Sequence, residues 1–187
     1  MNRFYDLTDD LRVPERWHLR HPVDEHGQKI DPWQFTEGRW LEPQGTIRFP
    51  VKPDGVELEF TEASVSTPVV HGRVVQLFER LGVQDVQFLP VQVDGHAGPW
   101  FILNALRVIR CIDEPRCREV RHFQPEDGQP EKVGWYRVVS GMRIDPTKVG
   151  EARIFRPWGW TGALIVSEDL KQALEREGIT GPRFTEV

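Results

Sequence analysis

The two cysteines of the chain lie in one short stretch, CIDEPRC, as Cys111 and Cys117 with five residues between them, and His122 follows. Thiolates and imidazoles are the ligands of structural zinc, so Cys111, Cys117 and His122, completed by His96, form the first candidate metal site. Such ligands normally come in pairs two to four residues apart, and this spacing is wider. A redox pair would need two intervening residues. A disulfide across the turn is disfavoured in a reducing cytosol. The stretch therefore reads as a turn between two strands, with two reduced thiols packed as small hydrophobes. A second cluster, HLRHPVDEHG, sets His18, His21 and His26 beside Asp24 and Glu25. Pro22 excludes the helix that would align two histidines, so a solvated loop is expected, with metal binding as the alternative.

Nucleophilic chemistry finds no better footing. Ser140 in VVSGM lacks the preceding glycine of a nucleophile elbow. Ser64 and Ser66 precede a helix-like stretch and read as caps. There is no phosphate loop and no dinucleotide fingerprint. No carboxylate pair is singled out for acid–base work. No catalytic residue, no metal ligand set and no cofactor is predicted, and the chain reads as a protein that binds. Arg107, Arg110, Arg116, Arg118 and Arg121 are interleaved with Asp113, Glu114 and Glu119, which predicts a cross-strand ion-pair ladder and no nucleic-acid partner.

The elements that must position these residues belong to a chain of 187 residues, the length of one domain spanning 1–187. Twenty-four basic and twenty-nine acidic side chains give a net charge of −5, which favours a basic protein partner over a polyanion. The opening MNRFYDLTDDLRVPERWHLR has no apolar run and reads as no signal peptide. WFIL and ALIV are far shorter than the roughly 20 residues of a membrane helix. A cytoplasmic protein without membrane contact is expected.

Residues 1–56 are interrupted by Pro and Gly, leaving room for loops and short strands ordered by Trp17, Trp33, Phe35, Trp40 and Phe49 packing on the rest. STPVVHGRVVQLFERLG has apolar residues at helical spacing, with Thr67 as cap, Pro68 in the first turn and Gly82 as terminator. DVQFLPVQV and PWFILNALRVIRCID read as strands, followed by EVRHF, GWYRVVSGMRID, ARIFRPW and GALIV. EDLKQALEREG reads as a second helix capped by Ser167 and closed by Gly178. ITGPRFTEV is a terminal strand or ordered tail. Two main helices among six or seven strands, without regular βαβ alternation, predict an α+β fold with a largely antiparallel sheet.

Two features could meet a partner. In GVELEFTEA an extended backbone places Glu57 and Glu59 on one side and Leu58 and Phe60 on the other. With Glu62 they form an acidic steering surface, or an ordinary solvated strand face. In FRPWGW, Trp158 and Trp160 would share one face, as core residues first and interface anchors second, with Gly159 admitting another backbone.

Across nearly the whole chain these segments resemble the immunity protein 11 family, formerly a domain of unknown function and abundant in myxobacteria. FYDLTDD, PERWHL, GQKIDPWQFTEG, FTEASVSTPVV, DVQFLPV, FILNALRVIRCIDE, YRVVSGMRIDPTKVG, IFRPWGW and LIVSEDLKQALEREGITGPRF carry the likeness. The resemblance implies a cytoplasmic immunity protein of a bacterial polymorphic toxin system. Such a protein binds and neutralises a cognate toxin and serves kin discrimination. It brings no catalytic residue with it. Two other classes compete: a small metal-dependent or hydrolytic enzyme built on His18–His26 or Cys111–His122, and a self-associating module joined through Trp158 and Trp160.

Overall fold

The computed structural model describes residues 3–187, so the first two residues of the expected 1–187 domain and of the opening segment lie outside the described residues. Among the described residues there are twelve strands and two α-helices, an α+β fold. β1 (Phe4–Asp9), β2 (Ile47–Phe49), β3 (Phe60–Ala63) and β4 (Thr67–His71) precede α1 (Gly72–Arg80). Then come β5 (Val86–Val93), β6 (His96–Ala105), β7 (Val108–Ile109), β8 (Glu119–His122), β9 (Tyr136–Ser140), β10 (Ile154–Pro157) and β11 (Ile165–Ser167). α2 (Glu168–Arg176) and β12 (Pro182–Glu186) follow.

The strands form two five-stranded sheets, in the orders β12-β1-β11-β10-β7 and β2-β5-β6-β4-β3, and β8 pairs with β9 in a separate ribbon. Only β7 beside β10 and β2 beside β5 run parallel; the other pairs are antiparallel. The helices close the space where the sheets meet. Val74, Leu77 and Phe78 of α1 and Leu170 and Leu174 of α2 pack with Leu7 and Val166 of the first sheet and Phe60 and Leu103 of the second. Because side chains alternate along a strand, Ile102 points the other way, into a cluster with Trp17, Phe35, Phe49 and Trp100. The Pro/Gly-rich segment thus packs as expected at three of its five aromatics. Trp33 and Trp40 do not join it and are 53% and 63% exposed.

The first helix begins four residues later than its pattern predicts, with His71 in place of Thr67 as its cap. Thr67–His71 is a strand between β3 and β6, and Val69 and Val70 are wholly buried, one toward each apolar cluster. Burial on both sides overrides the helical spacing of those valines. His71 is the actual cap, accepting the Arg73 N–H at Nδ1 (3.3 Å). Ser64 and Ser66 belong instead to the β3–β4 connection, where Thr67 Oγ1 donates to the Ser64 carbonyl at 2.9 Å. Ser167 stands at the start of α2, but its hydroxyl donates to Asp169 at 2.5 Å instead of accepting a backbone N–H. Gly82 and Gly178 end their helices with φ of +64° and +68°, as expected. The single long strand expected through residues 99–113 breaks at Leu106 and Arg107. There the chain leaves the second sheet and enters the first as β7.

Candidate functional site

The ligand-type residues of the opening motifs occupy separate environments. Cys111 is fully buried among Phe4, Ile144, Val149 and Phe155, and burial pushes its thiol up to about 12. Cys117 follows a 3-10 turn at Glu114–Arg116; its Sγ donates to the Asp113 carbonyl and accepts the Arg143 N–H, both at 3.3 Å. His122 faces Glu114 at 3.2 Å. His21 meets the Ser64 hydroxyl at 3.1 Å, and His26 meets Glu25 at 3.5 Å. Among the described residues no three such side chains converge as a cation site.

His96 has both ring nitrogens in use, Nδ1 with Glu57 at 2.5 Å and Nε2 with Asp54 at 2.8 Å, while its ring meets Trp17 edge-on. Burial opposes the charged imidazole, but the two carboxylates outweigh it and raise the pKa. Only a ring protonated at both nitrogens satisfies two acceptors at once. Glu57 is thereby tied to the start of β6. An open groove beside this clamp, about 710 Å³, is lined in part by Leu11, Val13, Pro53 and Val56.

A buried cluster of ionisable side chains lies where the two sheets meet. β1 supplies Asp6 and Asp9, β3 supplies Glu62, β10 supplies Arg156, and the loop after β1 supplies Arg16. Arg16 pairs with Asp9, and the two side chains are 4% and 9% exposed. The Glu62 N–H donates to Asp9 Oδ2 at 3.2 Å. Arg156 has no exposed surface and donates to the carbonyls of Thr161 (2.7 Å), Ala163 (3.3 Å) and Ser66 (3.3 Å). Ser66 and Val65 both have positive φ, 48° and 56°, a conformation that costs a β-branched residue most, so Arg156 clamps a strained hairpin turn.

Three carboxylates face two guanidinium groups here, leaving one negative charge uncompensated. Burial, reinforced by the charge on Asp9, drives Glu62 up to about 7. Burial likewise raises Asp6 to about 6, against a hydrogen bond from the Leu164 backbone and the pull of Arg156. Burial lowers Arg156 to about 10 against Glu62 and Asp6, so it stays charged. A proton on Glu62 is the simplest way to neutralise the seam. Asp6 Oδ1, Arg16 Nη1 and Arg156 Nε have no protein partner.

The expected contact residues are dispersed. Leu58 and Phe60 are buried, 3% and 1% exposed, and Glu57 and Glu59 point the other way, so the predicted alternation is present. Glu59 holds Arg73 at 2.6 Å and the Thr180 N–H at 3.0 Å, and Glu62 turns into the seam. Trp160 packs against the cluster around Phe155. Trp158 lies half-buried under the Arg110 guanidinium, 3.2 Å from its ring centroid, with Trp135 edge-on at 6.2 Å. Gly159 does admit a neighbour: its carbonyl accepts the Tyr136 N–H at 3.2 Å. The expected arginine ladder is not formed. Arg121 pairs within its own strand with Glu119, Arg116 with Asp113, and Arg107 reaches Asp85, because β8 faces Tyr136–Ser140, which offers no carboxylate.

Two packed sheets with helices at their junction and an ionic seam between them define a mixed α+β protein. The family model of an immunity protein family (Imm11) matches residues 2–187, and the chain belongs to that family. No curated protein matches it. Among the described residues no helix is long and apolar enough to cross a membrane.

Proposed function

We propose that the chain is a non-catalytic immunity protein of a polymorphic toxin system that works in the cytoplasm, binding its cognate toxin in a stoichiometric complex and so neutralising it. Family membership over residues 2–187 carries this reading, and the same span supports the whole chain acting as one unit. Glu57, Glu59, Glu62, Trp158 and Trp160 do not make one patch, so the contact is assigned to the outward-facing members. Trp158 is a half-buried ring with a stacked cation, the residue types in which interface energy concentrates. Glu57 is the exposed member of the acidic segment and offers steering at long range.

Growth of a susceptible host expressing the adjacent reading frame, with and without this chain, tests the reading when followed by co-purification. Rescue with a stable complex is the expected result. Rescue without a complex would indicate an enzyme that reverses the damage. Toxicity without rescue would break the pairing.

A further inference from the structure

The β8–β9 ribbon is the least supported part of the structure. Between Ile112 (8% exposed) and Ile144 (1%) no residue is buried, and β8 and β9 pair with no other strand. A two-stranded ribbon alone is marginally stable. This one is moored at its base by the Ile112–Ile144 bridge and by Arg143 donating to the Glu186 carbonyl (2.8 Å), and near its turn by the Tyr136 N–H on the Gly159 carbonyl (3.2 Å).

Two of the four cation–ring stacks among the described residues lie on the ribbon or where it meets the first sheet, the other two being Lys171 over Tyr5 and Phe184. Arg110, itself exposed, covers Trp158; Trp135 (38% exposed) stands against Trp158; Lys132 lies 5.6 Å from the Phe123 ring; Val133 beside them is 44% exposed. Among the described residues Arg110 and Lys132 make no ion pair, whereas Arg107, Arg116, Arg121 and Arg137 around them do; Arg118 and Arg143, also without a carboxylate, are held by the Ser140 hydroxyl and the Glu186 carbonyl. Charge is divided in the same sense. Residues 107–148 contain nine basic and seven acidic side chains, and the remainder fifteen and twenty-two.

We propose that this cation-capped aromatic face of the ribbon docks the toxin, through a toxin segment that presents carboxylates beside apolar side chains. The inference rests on the proposed immunity function. A guanidinium lying flat on an indole keeps its N–H edge free, and that edge fits a carboxylate bidentately. Trp135 and Val133 supply the apolar contact next to it. Rigid aromatics and arginine hold most of the energy in such interfaces. A nucleic acid fits less well, since Glu126 and Glu131 lie in the same ribbon and the chain is acidic.

The test uses the full chain and the protein encoded by the adjacent reading frame, with dissociation constants for Arg110→Ala, Arg110→Glu, Trp135→Ala and Trp158→Ala. Trp40→Ala, exposed but off the ribbon, is the control. Arg110→Glu and Trp158→Ala should each weaken binding by about 30-fold or more, the range of interface hot spots. Arg110→Ala should lose less than Arg110→Glu, Trp40→Ala should lose nothing, and all melting temperatures should stay near that of the parent. Trp135→Ala covers the case in which Trp158→Ala unfolds.

Unchanged affinity in both Arg110→Glu and Trp135→Ala, with the parent chain binding, overturns the surface but leaves the immunity function standing. Tighter binding by Arg110→Glu means a cationic partner surface and overturns it too. So does a single-stranded oligonucleotide, or a second copy of the chain, that binds this face while toxin affinity is unaffected by the variants. A parent chain that does not bind the toxin overturns the function and the surface together.

Discussion

Replacing Glu62 by glutamine should stabilise the protein, and by an amount that depends on pH. Glu62 titrates near 7 in the folded chain against an ordinary value of 4.5, because burial and Asp9 both oppose its charge. The folded state therefore holds this proton more tightly than the unfolded state, and the associated stability is fully present below about pH 4.5. It is lost as pH rises through about 7. A shift of this size corresponds to about 3 kcal/mol at pH 8, at 1.36 kcal/mol per unit, reduced to about 2 kcal/mol because the side chain is only partly buried. Glutamine mimics the protonated carboxyl, so its advantage should be about 2 kcal/mol at pH 8 and well under 1 kcal/mol at pH 5. For a chain of this length that difference moves the melting temperature by roughly 4–8 °C at the higher pH. Paired urea or thermal melts of both proteins at pH 5 and pH 8 measure it. An advantage equal at the two pH values, or a loss at pH 8, would refute the reasoning. Either result would mean that Glu62 is ionised at no cost, with Arg156 and Arg16 satisfying all three carboxylates.

Other consequences are as direct. Gly181 has φ +100°, and a Cβ there would run into the Phe60 carbonyl, so Gly181→Ala should lower stability by about 2–4 kcal/mol in denaturant melts. Ile102, wholly buried on β6, should cost about 2–5 kcal/mol as Ile102→Ala, read as a lower urea midpoint at constant slope. In the native protein one thiol, Cys117, should react with an aromatic disulfide reagent, and Cys111 should react only on unfolding, as counted by absorbance. The His96 ring should titrate above 6.5 by proton NMR, and the clamp's contribution to stability should be present below that pH and fade as pH rises through the folded value.

Much of the architecture follows from local pattern, and the exceptions have physical causes. The α+β class, the second helix and most strands are legible because their periodicity agrees with their final burial. Thr67–His71 is misread since Val70 and Val74 fit a helical face as well as a strand, and only the neighbouring β3 and β6 decide between them. β1 is not singled out in the sequence because it reads together with the Pro/Gly-interrupted region 1–56, although MNRFYDLTDDLRV itself holds neither residue and FYDLTD alternates as a strand should, with Leu7 facing the core and Asp6 turned toward the seam. One local signal of the seam is Arg156, the single charged residue in the strand IFRP. Its partners Asp6, Asp9 and Glu62 lie far away in sequence, and their convergence depends on how the two sheets meet. Trp158 and Trp160 were paired by extended spacing, but the chain turns at Trp158 and Gly159 and sends the two rings to different neighbours.

The central claim is that protection comes from stoichiometric binding. The most direct measurement titrates a fixed amount of the cognate toxin with the purified chain, following toxin activity and complex formation in the same samples. The account predicts that activity falls in proportion to added chain and reaches its floor at an equimolar ratio, with all of both proteins in one complex. Protection at a small fraction of equimolar, or protection with no complex, would contradict it.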